Sequence, residues 1–179
     1  MLKELKFTSI PVYEHLKSVV FSNDFPLYRK TQQTPEATDN DQSTNSVWFS
    51  HALINRPNDF MPMPVFKSNH ADAAVEIFKH ICFLNGIDSY LLLRANINVM
   101  IPGESRPTHP HIDHPFKHKN ILMYLEDADG DTVVGDLRSS PREDKVILFE
   151  GEHYAEHPTT KTRTVIVFTY LELEAYDNA

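Results

Sequence analysis

The sequence predicts a mainly β protein with one flanking helix, folded as a sandwich, barrel or jelly roll. From residue 90 onward, the chain is a series of runs rich in β-branched and aromatic residues. Turn-forming stretches such as DADG and RSSPRED separate these runs at short spacing, which is typical of antiparallel β architectures. The predicted strands are YLLLRANINVMIP, NILMYLE, DTVVGDL, KVILFE and RTVIVFTYLELE.

One helix is predicted, over residues 71–84. Its apolar residues recur three and four positions apart, and Gly86 follows as a stop signal. We expect Ser68 or Asn69 to cap its start. Cys82, the single cysteine of the chain, lies in this segment, and we expect it in the core because free cysteines are usually buried. The apolar positions are Ala74, Ile77, Phe78, Ile81 and Leu84.

The part of the chain before this helix gives weaker signals. Residues 47–50, VWFS, predict a short strand. The stretch NRPNDFMPMPVF that soon follows is expected to be extended, because each proline fixes its own φ angle and disfavours helix at the preceding residue. Residues 31–46 contain no aromatic or large aliphatic side chain, so they predict a mobile loop or lid.

The bulk composition predicts a single domain over residues 1–179. Hydrophobic residues make up 41% and charged residues 23% of the chain, which is ordinary for a soluble globular protein. The formal net charge of −8 disfavours a nucleic-acid partner. One cysteine excludes an intrachain disulfide. The chain shows no signal-peptide pattern and no run approaching the roughly 20 apolar residues of a membrane span, so we expect a cytoplasmic protein with no membrane partner.

Four of the ten histidines lie in the stretch HPHIDHPFKH, residues 109–118. His111 and Asp113 are two positions apart, and on an extended segment such residues project to the same face. The pair can therefore bind one metal ion, with a third ligand from a later strand, either His153 or His157. Two histidines and one carboxylate form the facial triad of non-haem Fe(II) oxygenases. An H-x-D string alone is weak evidence.

The remaining histidines of this stretch, and one on the predicted helix, fit a simpler interpretation. Surface histidines are common, so we expect the three in this stretch to lie at the surface. The single histidine on the helix has no spacing that makes a ligand set, and we expect it to be an ordinary surface or packing residue. The four histidines are His109, His114, His118 and His80.

The segment from His111 to Glu172 resembles the 2-oxoglutarate- and Fe(II)-dependent dioxygenases. The family pattern is H-x-D, a strand ending in Tyr-Leu, a Gly-x-Thr turn, a second histidine after a strand and turn, and an arginine about ten residues later. Upstream, the stretch NDFPLY loosely resembles small phage-type and prolyl-hydroxylase-like members. The matching residues are His111, Asp113, Tyr124-Leu125, Gly130-Asp131-Thr132, Phe149-Glu150-Gly151, His153 and Arg163.

The resemblance implies a double-stranded β-helix, the cupin-like form of the jelly roll, and a set of site residues. His111, Asp113 and His153 would be the catalytic metal site and hold Fe(II). His153 is preferred to His157 because it lies ten residues before Arg163. Arg163 would bind the far carboxylate of 2-oxoglutarate, and Tyr124 would donate a hydrogen bond to the same group.

The chain departs from the family pattern at two places. Val165 stands where many members carry Ser or Thr two positions after the arginine, so one hydrogen bond to the cosubstrate would be missing. In addition, Asp129-Gly130 replaces the commoner Gly-Gly before the Thr turn.

The resemblance implies a hydroxylase that oxidises a C–H bond of a protein or peptide, with prolyl residues as candidates, using molecular oxygen and releasing succinate and carbon dioxide. The predicted loop at 31–46 would then cover an extended substrate. One alternative is a small-molecule hydroxylase of the same superfamily. Another, from a different class, is a non-catalytic cupin-like metal-binding protein, which would not require Arg163.

Overall fold

The computed structural model describes residues 1–30, 48–57, 62–103 and 107–173. The predicted loop at 31–46 and residues 58–61 of the proline-rich stretch lie outside these ranges. Within them the chain is mostly β, with two helices, so the predicted mainly β fold is confirmed. The elements in chain order are β1 (Leu2–Leu5), α1 (Pro11–Val20), β2 (Tyr28–Lys30), β3 (Trp48–Asn55), β4 (Val65–Phe66), α2 (Ala71–Leu84), β5 (Tyr90–Met100), β6 (Lys119–Tyr124), β7 (Thr132–Val134), β8 (Leu137–Ser139), β9 (Val146–Phe149), β10 (His153–Ala155) and β11 (Arg163–Glu172).

Two antiparallel sheets form the jelly roll. In the described ranges, the larger sheet has the order β1-β9-β6-β11-β5-β3-β2, and β4 pairs with β3. The smaller sheet has the order β10-β7-β8. Strand β11 is central, because it pairs with β5 on one side and β6 on the other. Its sequence, RTVIVFTYLE, is apolar on both faces, as expected for a strand covered on both sides.

The alternation of side chains along β11 separates two layers of the protein. Ile166 and Phe168 face the helices and belong to the main apolar core. Val165 and Val167 face the other way, into a second apolar cluster that includes Val134 of the smaller sheet. Because side chains alternate along a strand, odd-numbered positions from 163 onward face the space between the sheets.

The predicted helix is present as α2, and the structure adds a second helix. Cys82 is 1% exposed, so its predicted place in the core is confirmed. The predicted cap is borne out in part: the Ser68 hydroxyl accepts a hydrogen bond from the His70 N–H at 3.2 Å, although the residue directly before the helix is His70, which makes no side-chain capping bond. Helix α1 contacts α2. Its buried residues recur at the three- and four-residue spacing that predicts a helix, and Pro11 occupies the first turn, where proline is tolerated. They are Tyr13, Leu16 and Val20.

In the described ranges, no helix is both long enough and apolar enough to cross a membrane.

Candidate active site

The backbone brings His111 and His153 side by side. The His111 N–H donates to the His153 carbonyl at 3.0 Å, and the His153 N–H donates back at 3.0 Å. This exchange pairs the H-x-D segment with the first residue of β10. Asp113 follows two residues after His111 on the same segment. As a result, one potential ligand atom from each of the three residues lies within 4.8 Å of the others.

Nδ1 of each imidazole contacts a backbone carbonyl, which leaves Nε2 as the nitrogen available to a metal ion. Nδ1 of His111 lies 2.9 Å from the carbonyl of His109, and Nδ1 of His153 lies 3.1 Å from the carbonyl of Gly151. A carbonyl only accepts hydrogen bonds, so these contacts assign the proton of the neutral ring to Nδ1 and leave a lone pair on Nε2. Burial lowers the pKa of His153 to about 4, so this ring is neutral at pH 7.

Asp113 is 5% exposed and ionised. Its Oδ1 accepts a hydrogen bond from Nη1 of Arg94 at 2.8 Å, whereas Oδ2 has no hydrogen-bond partner among the described residues. Oδ2 lies 3.6 Å from Nε2 of His153, too far for a hydrogen bond. Burial alone would raise the pKa of Asp113, but nearby positive charge, chiefly the guanidinium of Arg94, outweighs burial and holds this pKa well below its usual range.

These donors fit a divalent metal ion. The cluster offers one ring nitrogen from each of two histidines and one carboxylate oxygen that has no hydrogen-bond partner among the described residues. An unpaired buried carboxylate oxygen is costly, and a cation held by all three atoms would remove that cost. Two imidazoles and one carboxylate are the ligand types of the facial triad of non-haem Fe(II) sites.

The structure places the other candidate histidines away from this cluster. His157 is 7% exposed, with Nδ1 2.9 Å from the Pro158 carbonyl and Nε2 without a partner among the described residues. His114 and His118 are buried, at 4% and 5% exposure, so an assignment to the surface is wrong for these two. They are packing residues: Nε2 of His114 bonds Thr169 at 2.7 Å, and Nδ1 of His118 bonds the Phe116 carbonyl at 2.8 Å.

His109 and His80 fit the simpler interpretation. His109 is exposed, and its Nδ1 lies 2.9 Å from the Pro110 carbonyl. His80 is half-buried on α2, with Nε2 2.9 Å from the Thr8 carbonyl.

Arg163 begins β11 and is 3% exposed. Its Nε donates to the Gly130 carbonyl at 3.0 Å, and Nη2 donates to the Thr132 hydroxyl at 2.7 Å. Among the described residues, the hydrogen-bond partner of Nη1 is the Met100 sulfur, a weak acceptor, at 3.9 Å. None of these partners is a carboxylate. Burial lowers the pKa of Arg163, and the guanidinium nevertheless remains charged at neutral pH.

Tyr124 belongs to an ordered chain of hydrogen bonds that starts at Arg163. Its hydroxyl lies 2.8 Å from the Thr132 hydroxyl and 2.9 Å from the Ser139 carbonyl. Because the carbonyl can only accept, Tyr124 donates to Ser139, and Thr132 donates to Tyr124 while accepting from Arg163. The one donor of Tyr124 is therefore engaged. Its predicted contact with the cosubstrate stays a prediction, and this geometry favours an indirect role.

A single cavity joins Arg163 to the His111–Asp113–His153 cluster. Apolar side chains from the second layer, including Leu122, Val165 and Val167, cover part of its wall. Asn98 also lines the cavity, and its side-chain oxygen is buried without a partner among the described residues. Val165 faces Asn98 across the β5–β11 pair. An amide therefore stands opposite the position where the family pattern has a hydroxyl.

The turn before β7 holds Arg163 in place. Gly130 has a φ of +88°, and a Cβ atom there would lie 2.6 Å from the Glu156 carbonyl oxygen. Only glycine fits such a conformation and such a close approach. The adjacent Asp129 carboxylate accepts hydrogen bonds from the 159–161 segment, which leads into β11. Asp129 replaces the commoner glycine of the family pattern, and here it ties two loops together.

Sequence reasoning missed Arg94, which contacts the carboxylate of Asp113. A signal was present, because Arg94 interrupts the apolar run YLLLRANINVM of a strand predicted to be buried. A buried arginine needs an anionic partner, so a charged residue in such a run predicts a buried ion pair. The sequence did not show that the partner would be Asp113.

No protein-family model matches the sequence, and no curated protein matches it. Several solved structures share its fold. An oxidoreductase of the 2OG-Fe(II) oxygenase family from Burkholderia pseudomallei is 14% identical, with a TM-score of 0.62 over 90% of this chain and 79% of that one. A prolyl hydroxylase from Trichoplax adhaerens, solved with a peptide of hypoxia inducible factor, is 12% identical, with a TM-score of 0.62 over 96% of this chain and 83% of that one.

A third similar structure is the non-haem α-ketoglutarate-dependent carbocyclase SnoK of nogalamycin biosynthesis, 11% identical, with a TM-score of 0.59 over 96% of this chain and 79% of that one. At these identities the comparisons show the fold. The chain has the jelly-roll fold of 2-oxoglutarate/Fe(II) oxygenases, and the predicted double-stranded β-helix is confirmed.

Proposed function

We propose that the protein is an Fe(II)- and 2-oxoglutarate-dependent oxygenase that hydroxylates a C–H bond. One observation carries the proposal: the His111–Asp113–His153 cluster and the buried guanidinium of Arg163 line the same cavity. Such a cavity suits a ligand that chelates a metal at one end and carries a carboxylate at the other. 2-Oxoglutarate is such a ligand, and the fold shared with known 2-oxoglutarate oxygenases supports this choice.

The metal ligands in this proposal are Nε2 of His111, Nε2 of His153 and Oδ2 of Asp113. Asp113 is ionised and His153 is neutral at pH 7, so neither has to lose a proton when the metal binds. Loaded with Fe(II) and 2-oxoglutarate, the site supplies oxygen chemistry in which one atom of molecular oxygen enters the substrate C–H bond and the other enters succinate, with loss of carbon dioxide.

Arg163 binds the far carboxylate of the cosubstrate in this proposal. A guanidinium pairs with a carboxylate through two parallel hydrogen bonds, and burial strengthens such bonds. Nε and Nη2 already have protein acceptors, whereas the partner of Nη1 in the described part of the chain is the weakly accepting Met100 sulfur. The ligand therefore approaches mainly from the Nη1 side. The Val165 side chain cannot donate a hydrogen bond to this carboxylate, so Arg163 contributes a larger share of the affinity for it.

A peptide or protein is the substrate class that we favour, with prolyl residues as candidates. The Trichoplax adhaerens neighbour was solved with a peptide, and another neighbour of this fold is a prolyl-4-hydroxylase from Pseudomonas putida, at 11% identity and a TM-score of 0.55. A small-molecule substrate is the second candidate, because the carbocyclase SnoK has the same fold.

Binding of the cosubstrate tests the proposal directly. 2-Oxoglutarate is titrated into the anaerobic Fe(II) protein while the metal-to-ligand charge-transfer absorption is followed, for wild type and Arg163→Ala. We expect saturable binding in wild type and a loss of more than about one to two decades in affinity in the variant, because one charge-assisted hydrogen bond contributes about 1.5–3 kcal/mol and Arg163→Ala removes the whole guanidinium. Metal binding should not change.

Arg142→Ala is the matched control, because Arg142 is an exposed arginine paired with Glu4 at the surface. It should titrate like wild type. A separate assay of succinate release with and without candidate peptides then separates the two substrate classes. Metal binding without any 2-oxoglutarate binding would favour the cupin-like metal-binding protein instead.

A further inference from the structure

Arg94 is held by more than its partner Asp113. It lies in the middle of β5 and is 8% exposed. When the Asn96 amide nitrogen donates to the Ala95 carbonyl at 2.9 Å, the amide oxygen accepts from Arg94 Nε at 3.2 Å and Nη2 at 2.9 Å. The opposite orientation would turn the amide oxygen toward acceptors. Three donors of the guanidinium are thereby fixed, two on Asn96 and one on the carboxylate.

The main chain of Asp113 is fixed as well. Nη1 of Arg56 donates to the Asp113 carbonyl at 2.6 Å. The carboxylate therefore has little freedom to rotate or shift. Oδ1 is engaged by Arg94, and Oδ2 is the oxygen that remains for a metal ion.

Arg94 also changes the charge of the site. The carboxylate contributes −1 to the metal site, and the guanidinium that contacts Oδ1 contributes +1. A divalent ion bound there would keep most of its double charge uncompensated by protein. A nearby unit charge matters strongly in a buried site, because screening by water is weak there. Such a site attracts an anionic chelating ligand more strongly than it attracts the bare ion.

We propose that Arg94, oriented by Asn96, is a positioning residue that restricts Asp113 to one metal-binding oxygen. It thereby strengthens binding of the anionic cosubstrate without strengthening binding of the metal. The proposal rests on the proposed function. If Arg94 is removed, both oxygens of Asp113 become available and its charge is no longer offset. The metal then binds as tightly as before or more tightly, while the dianionic cosubstrate loses both a coordination position and an attractive charge.

The experiment compares wild type with Arg94→Met, which keeps the length of the side chain and removes its charge and donors. Mn(II) is titrated into the metal-free protein by calorimetry, and 2-oxoglutarate is then titrated into the Mn(II)-loaded protein. We expect unchanged or tighter Mn(II) binding in Arg94→Met, together with cosubstrate binding weakened about tenfold or more. Structural damage would weaken the binding of Mn(II) and of 2-oxoglutarate alike. Retained Mn(II) binding together with weakened 2-oxoglutarate binding therefore indicates a positioning role.

Two further variants keep the test decisive if Arg94→Met does not fold. Arg94→Lys keeps the charge and one donating nitrogen and should recover most of the cosubstrate affinity. Asn96→Ala leaves Arg94 in place but releases its orientation, so it should weaken cosubstrate binding by a smaller factor without weakening Mn(II) binding. Parallel loss of both affinities, or unchanged 2-oxoglutarate affinity in the variants that fold, would overturn the proposal. Failure of wild type itself to bind 2-oxoglutarate would instead overturn the proposed function.

Discussion

The carbonyl oxygen of Gly130 accepts a hydrogen bond from Nε of Arg163 at 3.0 Å, so a glycine turn and the first residue of β11 hold one another in place. The turn can lie close to the backbone of residues 156–158 because residue 130 has no side chain. Its φ of +88° lies in a region that other residues rarely adopt, and backbone atoms of residues 156–158 surround the position of the missing Cβ.

Gly130→Ala should therefore destabilise the protein and weaken 2-oxoglutarate binding. The strained φ alone costs about 1–3 kcal/mol, and the close approach to the Glu156 carbonyl adds to it. Denaturant unfolding measures the free energy change. Gly135→Ala is the matched control, because Gly135 also has a positive φ, +57°, with nothing within 4 Å of its Cβ position. Equal losses in both variants would show that the close approach is unimportant.

His153→Ala should abolish tight metal binding, whereas His157→Ala should leave it near wild type. Nε2 of His153 lies in the cluster with His111 and Asp113, and His157 is not part of that cluster. Removing one of three ligands from an open site leaves two, which hold the ion poorly. Mn(II) or Fe(II) binding to the metal-free proteins, measured by calorimetry, distinguishes the two. Loss of metal in His157→Ala alone would exclude the triad proposed for this site.

Much of the fold could be predicted because the strands have strong local signals. The run RTVIVFTYLE is apolar on both faces, and it forms the central strand β11. Helix α2 has the predicted bounds, 71–84. Helix α1 went unpredicted although its buried residues have helical spacing, because ten residues with a proline at the start are a weak signal in isolation.

The candidate site could be predicted only in part. The resemblance named His111, Asp113, His153 and Arg163, and the structure brings their side chains to one cavity. Two features depend on contacts between distant segments, and local patterns do not encode such contacts. One is the ion pair between Arg94 and Asp113, 19 residues apart in the chain. The other is the direction of the Tyr124 hydroxyl, which follows from the position of the Ser139 carbonyl.

Tyr124→Phe tests that direction. If Tyr124 donated directly to the cosubstrate, its loss would weaken 2-oxoglutarate binding by about one to two decades. Because the hydroxyl donates to Ser139, we expect less than a tenfold effect on binding and a loss of about 0.5–1.5 kcal/mol in stability, since the buried hydrogen bond to the Ser139 carbonyl is lost. Tyr170→Phe is the control, because the buried Tyr170 hydroxyl has no partner among the described residues and its removal should cost little.

The Asp129 carboxylate should make stability depend on pH in the acid range. Hydrogen bonds from the hydroxyl and N–H of Thr159, and from the N–H groups of Thr160 and Lys161, lower its pKa well below the ordinary value. The unfolded chain binds a proton at about pH 3.9, and the folded chain binds it only at lower pH. The contribution of this carboxylate to stability is thus complete above about pH 5, declines as the pH falls through 3.9, and is lost below the folded pKa.

Asp129→Asn should therefore be less stable than wild type at pH 7, by up to about 1 kcal/mol, because the amide offers one acceptor oxygen instead of two and carries no charge, while solvent screening keeps the contribution of this carboxylate small. The difference should narrow between pH 5 and pH 3, the window set by the lowered pKa of Asp129. Urea unfolding at pH 7, 5 and 3 measures it, with Asp136→Asn, at an exposed turn position, as control. A difference that stays constant with pH would mean that hydrogen-bond geometry, and not the charge of Asp129, stabilises the loop that leads to Arg163.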